Sequence, residues 1–440
     1  MPEERLAPLD TRWVVVTLKH PIQWTRGDSE IWTLLPHNRY VLNAFQIGSI
    51  KEHILTVSDL RGAGHLRPLS ASTHLPGAHI LVDRFRDRGI GDYLFLGAVL
   101  QYIYELSGYT AVFDVFGILD RSPILRHHPA IKYGPLAGPI NYDSLPFYTA
   151  HWFVDSVTEH SEEPDQGNVY DQLYRQIGVD PAHVQPRHKR PVVNISAEDY
   201  RDLDSIYATC YHKQKVDLRT TPYIVLCPAA YGVTRAAPYR LWLDLIRALA
   251  PQFHVIVIGR TTDQGQLPAP DMTFGEFYQQ LDALARELSP RVFNLIGPTP
   301  LRPMMALVSR ASAMVSLDSG MLYVAQGCRV PAVSLWGTHA PHVRLQYDPA
   351  YMRGAIWKQA ACPHSPCFTF TGFPASKCPL GSAQRVCHPL AAITVDDILE
   401  KLNTVLSDTE GARPLPTVAA PVVTAASKVP SKIIPLAPPK

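Results

Sequence analysis

The chain has 440 residues and a formal net charge of +2, with 18% of its residues charged. That near-neutral balance excludes the overall basic footprint of a nucleic-acid-binding protein, while a 46% hydrophobic content is enough for a core on the scale of two domains. No run approaches the roughly 20 apolar residues of a membrane span. The acidic start MPEERLAPLDTRW does not read as a signal peptide, so a cytoplasmic location is expected, with peripheral membrane contact left open and the seven cysteines expected as thiols or metal ligands.

Residues 1–77 lack an α/β rhythm. Runs such as Trp13 to Leu18 and Ile31 to Leu35, broken by Gly and Pro, predict a small strand-rich appendage. From Ala78 the pattern changes. Ile80, Leu81 and Val82 predict a buried strand, a polar loop runs from Arg84 to Asp92, and Tyr93 to Leu106 carries apolar residues at helical spacing. This α/β material continues to residue 195. Ser196 and Asp199 predict a capping box that opens a helix through Tyr211 and leads into a second domain, 196–405.

In that domain strands are predicted at Tyr223–Cys227, His254–Ile258, Val292–Ile296, Ala313–Leu317 and Ala332–Leu335. Helices are predicted at Tyr239–Leu249, Phe274–Leu288, Leu301–Ser309 and Met321–Gly327. Regular β-α alternation implies a doubly wound parallel sheet with right-handed crossovers. Residues 406–440, rich in Pro, Ala, Val and Ser, read as a disordered tail.

Four constellations are candidates for chemistry. In the first, Gly89 and Gly91 let the chain turn tightly after a strand, and Asp92 opens a helix. Asp92 is either a helix cap or a carboxylate placed as general base toward a hydroxyl. In the second, Asp318-Ser319-Gly320 lies where a strand delivers the chain into a helix N-terminus. Unpaired amides and the positive end of the macrodipole there suit a diphosphate. In the third, Thr234 and Arg235 sit in the long loop after Cys227, where Arg235 is either solvated or a bidentate phosphate ligand. In the fourth, Cys362, Cys367, Cys378 and Cys387 fall within 26 residues. They read as a closed, structural Zn or Fe site, with His364 as a substitute ligand, or as buried thiols. Cys210, Cys227 and Cys328 lie on apolar elements and read as core residues.

Three segments carry a family resemblance: ILVDRFRDRGIGD at 80–92, CPAAYGVTRAAPYRLW at 227–242, and NLIGPTPLRPMMALVSRASAMVSLDSGMLYVAQGCRVPAVSLWG at 294–337. SPCF at 365–368 and KCPLG at 377–381 extend it. The chain resembles the ADP-heptose:lipopolysaccharide heptosyltransferases of glycosyltransferase family 9, with a layout similar to the protein-modifying branch. The resemblance implies a GT-B fold, two Rossmann-like domains facing across a cleft, and inverting transfer from an ADP-sugar without a catalytic metal. It implies Asp92 as the base, and Asp318, Ser319 and Gly320 as the diphosphate turn. Arg235 falls where the family has a phosphate-contacting lysine, and Ala236-Ala237 replaces its usual tryptophan. Asp263, after the second strand of the domain, is the candidate for the nucleoside ribose. The acceptor implied is a saccharide or protein hydroxyl. Two other functions fit the same fold: a non-catalytic scaffold and a nucleotide-sugar epimerase.

Overall fold

The computed structural model describes residues 14–26, 30–36, 38–42, 47–48, 50–60, 65–83, 89–116, 123–136, 140–154, 168–230, 235–260, 271–297, 299–367, 378–380 and 387–407. The first strand, β1 (Val14–Leu18), buries both of its faces. Val14, Val16 and Leu18 point one way, into a small core with Ile22, Leu34, Tyr40 and Leu42. Val15 points the other way, toward Val41, Leu60, Leu81 and Ile140. That alternation follows from the two-residue period of a strand. β1 lies between β5 (Ile54–Asp59) and β4 (Tyr40–Leu42), and β9 (Ile140–Asn141) completes an antiparallel sheet in the order β5-β1-β4-β9. β2 (Ile22–Arg26) and β3 (Glu30–Leu34) form a separate hairpin. Strands β1 to β5 thus lie in the stretch read as strand-rich, and their sheet is completed by Ile140–Asn141 from beyond it.

The second sheet is parallel, in the order β10-β6-β7-β8, built from β6 (His79–Asp83), β7 (Val112–Phe116), β8 (Ile131–Leu136) and β10 (Ala150–Phe153). Ile80, Val82, Phe113 and Val115 pack on α1 (Ile90–Leu106). On the opposite face Leu81 packs against the first sheet, so a β-layer stands where a doubly wound fold usually carries helices. Helix α2 (Val169–Gln176) closes this lobe.

The C-terminal sheet has six parallel strands: β11 (Tyr223–Cys227), β12 (His254–Gly259), β13 (Val292–Ile296), β14 (Ala313–Leu317), β15 (Ala332–Trp336) and β16 (Ala355–Trp357). Their order is β13-β12-β11-β14-β15-β16. The winding direction therefore reverses between β11 and β14, which opens a crevice at their carboxyl ends. The helices of this lobe are α3 (Ala197–Gln214), α4 (Tyr239–Leu249), α5 (Phe274–Glu287), α6 (Leu301–Ser309), α7 (Gly320–Gly327), α8 (His342–Leu345), α9 (Pro349–Arg353), α10 (His388–Ala391) and α11 (Val395–Ser407).

Every strand and helix expected in this lobe is present within a few residues. α3 opens on the expected box: Ser196 Oγ accepts from Asp199 N, and Asp199 Oδ2 accepts from Ser196 N at 2.7 Å. Sequence reading passed over β16, α8, α9, α10 and α11. The first four are three to five residues long, too short to show a period. α11 does show one, burying Ile398, Leu402 and Val405, and with Leu406 packed on that core the helix runs to Ser407, past the expected tail boundary. The rest of the tail lies outside the described residues.

The lobes meet at two helix N-termini. A Cβ on Gly320, at the start of α7, would lie 2.3 Å from Cβ of Ile90 and 3.3 Å from the Gly91 nitrogen. A Cβ on Gly91 would lie 2.9 Å from the Tyr323 ring. Only glycine permits that approach. One core continues across the contact, joining Val82 and Tyr93 to Val225, Ile256 and Leu322. Behind it Arg302 of α6 is buried on the Asp199 carboxylate, with Nη1 donating to Pro123 O at 3.1 Å. Gly320→Ala is expected to cost about 1–3 kcal/mol by overpacking this seam. Chemical denaturation of purified protein checks it, and an unchanged midpoint would refute the close packing.

Candidate active site

β14 delivers the chain into the crevice as Leu317-Asp318-Ser319-Gly320. Ser319 is the N-cap of α7, in extended backbone with φ −139° and ψ 163°. Its hydroxyl does not cap the helix but lies 3.0 Å from Ser316 Oγ and 3.9 Å from Cys227 Sγ at the end of β11. Ser319 and Gly320 are half-buried, so the first amides of α7 are next to the crevice.

Asp318 differs: it is buried and held from three sides. Arg344 Nη1 donates to Oδ1 at 2.6 Å, the Tyr323 hydroxyl donates to Oδ1 at 2.5 Å, and Arg235 Nε lies 3.6 Å from Oδ2. His339 Nδ1 is 4.0 Å away. Burial alone would raise the Asp318 carboxyl, but Arg344, Arg235 and His339 outweigh it and hold the group well below the usual range. Burial pushes the Tyr323 phenol well up, which keeps its O–H as a donor. Two guanidinium groups against one carboxylate leave a net positive charge at the topological switch point. Asp318 is therefore the internal counter-ion of these arginines.

Arg344, His339 and Tyr323 were not among the residues singled out from sequence. A signal for the first two exists: β15 ends at the same crevice, and Gly337-Thr338-His339 followed by Arg344 puts cations just past its carboxyl end. Tyr323 gives no such signal, because it reads as an apolar residue on a helix.

On the opposite lobe Gly89 is the N-cap of α1 and Asp92 its third residue, so the helix starts at Ile90, earlier than the apolar spacing implied. Asp92 Oδ2 accepts from Gly89 N at 2.9 Å, closing a capping contact. A side chain on Gly89 would lie 2.7 Å from that oxygen. The half-buried Asp92 carboxylate therefore has a fixed direction on the helix whose first residues touch Gly320. Arg235 is half-buried, its side chain 13% exposed, and is joined to the turn. Thr234 and Asp263 lie outside the described residues.

Cys362, Cys367, Cys378 and Cys387 are half-buried and form no disulfide with one another among the described residues. Burial pushes Cys387 up to about 12, with Cys367, Cys362 and Cys378 adding to the effect. The four thus share one neighbourhood, although among the described residues no group of three or more His, Cys, Asp or Glu is arranged to hold a metal ion. Among the same residues no helix is long and apolar enough to cross a membrane.

The acid response follows from the depressed carboxyls. Asp199 is opposed by burial but pulled down by Arg302 and Ser196, from 3.8 to about 2. A carboxyl depressed on folding contributes stability above its unfolded value and loses it as pH falls. Stability from these ion pairs is thus full near neutrality and drains as pH falls from about 4 toward 2. Denaturation midpoints of Asp199→Asn are expected to be lower at pH 7 and flatter across that window; a slope like that of the unaltered protein would count against the pairing.

Comparison with known proteins bears on the family and the fold. The family described as glycosyltransferase family 9 (heptosyltransferase) matches residues 189–371. A lipooligosaccharide heptosyltransferase 2 of Haemophilus influenzae is 29% identical over 140 residues, 32% of this chain and 37% of that protein's length. Among solved structures, Escherichia coli ADP-heptose LPS heptosyltransferase II aligns with a TM-score of 0.52 at 17% identity, over 76% of this chain and 99% of that one. The dodecameric iron-containing heptosyltransferase TibC, solved with ADP-D-β-D-heptose, aligns with a TM-score of 0.51 at 13% identity, over 92% and 93%. Residues 189–371 are accordingly a glycosyltransferase family 9 domain, set in a chain with the GT-B fold of the heptosyltransferases.

Proposed function

We propose that the chain is an inverting glycosyltransferase that moves a heptose from an ADP-heptose to a saccharide or protein hydroxyl. The observation that carries this reading is the net positive switch point, Arg235 and Arg344 around one buried carboxylate, beside the amino end of α7 and in contact with the helix that bears Asp92. The diphosphate would lie on the Ser319, Gly320 and Met321 amides with Arg235 beside it. Asp318 sets the direction of the arginines.

In the reaction the acceptor O–H gives its proton to the Asp92 carboxylate as its oxygen bonds the anomeric carbon. The bond from that carbon to the β-phosphate oxygen breaks on the opposite face, which inverts the centre. Its electron pair leaves with ADP. Charge grows on the leaving phosphate, where the helix amides and guanidinium groups are already oriented, and such preorganised donors lower the barrier. These cations supply what a divalent metal would otherwise supply.

Asp92→Asn is expected to bind ADP like the unaltered protein and to lose about 10²–10⁴-fold in transfer rate. Retained turnover would remove Asp92 as the base. ADP at 100 times its Kd should add about 2.7 kcal/mol of stability to the unaltered protein. No shift with ADP or ADP-heptose would favour a scaffold, and a changed sugar released without an acceptor would favour an epimerase.

A separate proposal concerns Cys362, Cys367, Cys378 and Cys387. Four thiols in one neighbourhood suit a soft cation, Zn or Fe, in a closed structural site. No step of transfer runs through it. Protein purified without added metal should carry about one equivalent of zinc or iron by elemental analysis; a content far below that would refute the site.

A further inference from the structure

Arg344, the closest cation to Asp318, stands on α8, a helix of four residues that is too short to hold itself. Its flanks are tied to the other lobe. Asn168, the N-cap of α2, accepts from Tyr170 N at 2.9 Å through Oδ1 and donates through Nδ2 to the His342 carbonyl at 3.1 Å. Three residues along α2, Asp171 takes the Tyr347 hydroxyl on Oδ2 at 2.6 Å and Lys189 Nζ on Oδ1 at 2.9 Å. The Lys189 ammonium also lies 3.9 Å from the centre of the Tyr347 ring. Asn168, Asp171 and Lys189 are all buried. Segment 342–347 is therefore pinned at both ends by α2, with Arg344 between the pins.

We propose that α2 is a latch that holds Arg344 in the donor site across the lobe boundary, with Asn168, Asp171 and Lys189 as positioning residues for the ADP group. The inference rests on the reading of the switch point as the site of the ADP-sugar. Such contacts suit this task, since each fixes direction and the Lys189–Asp171 pair is buried and charge-assisted. The ring of Tyr347 lets Lys189 grip both partners, by charge on Asp171 and by cation–π contact on the aromatic face. Donor binding and the seating of the two lobes then share one free energy, and each strengthens the other by the same factor.

The test is calorimetric titration of ADP into the full chain and two variants, each held well below its measured Tm. Asn168→Ser keeps a side-chain cap for α2 and removes the donor to His342. Tyr347→Phe keeps the ring and removes the hydroxyl on Asp171. Both are expected to weaken ADP about tenfold. In an Arg344→Met background Tyr347→Phe should weaken it no further. If the unaltered protein binds ADP and both variants match its Kd, whatever happens to Tm, the contacts only support the fold and the latch is refuted. An additive loss in the Arg344→Met background refutes it too, by showing that Arg344 is not the target. If the unaltered protein fails to bind ADP, the reading of the switch point falls, and the latch with it.

Discussion

Everything at the cleft depends on one buried carboxylate. Without Asp318, Arg235 and Arg344 would be two like charges a short distance apart in a site walled by core residues, and each would turn to solvent. With it, both point inward and a single net positive charge remains. The Tyr323 hydroxyl donates to that carboxylate while its ring packs on Gly91 and Phe95 of the other lobe. One side chain thus joins the electrostatics of the donor side to the packing of the helix that carries Asp92.

The glycines at 91 and 320 do the complementary work. Two helix amino ends brought together repel each other through their dipoles, and removing both β-carbons brings them closer still. The arrangement is tolerable because buried apolar surface on either side holds the lobes together. The close approach at this seam is itself the reason for two glycines there.

The C-terminal sheet was legible in the sequence because its strands are continuous apolar runs, buried on both faces, separated by helices of ordinary length. The helix openings next to Asp92 and Ser319 were legible because glycine breaks mark where strands end. Arg344 and Tyr323 were not, since their importance comes from contacts between segments distant in the chain. Asp318 was legible as a position but not as a role: only the surrounding side chains turn it from a lining residue into a counter-ion. The four cysteines were grouped by spacing alone, and among the described residues no three or more His, Cys, Asp or Glu are arranged to hold a metal ion.

The first sheet carries a consequence for how the protein is made. β4 leaves the ribosome early, yet its partner β9 follows about a hundred residues later. Until then one edge of the nascent sheet has open amides and carbonyls, and the apolar side with Val15 and Val41 has nothing to lie on. The amino-terminal strands must therefore wait, vulnerable to pairing with a neighbouring nascent chain, until the following lobe arrives to complete them.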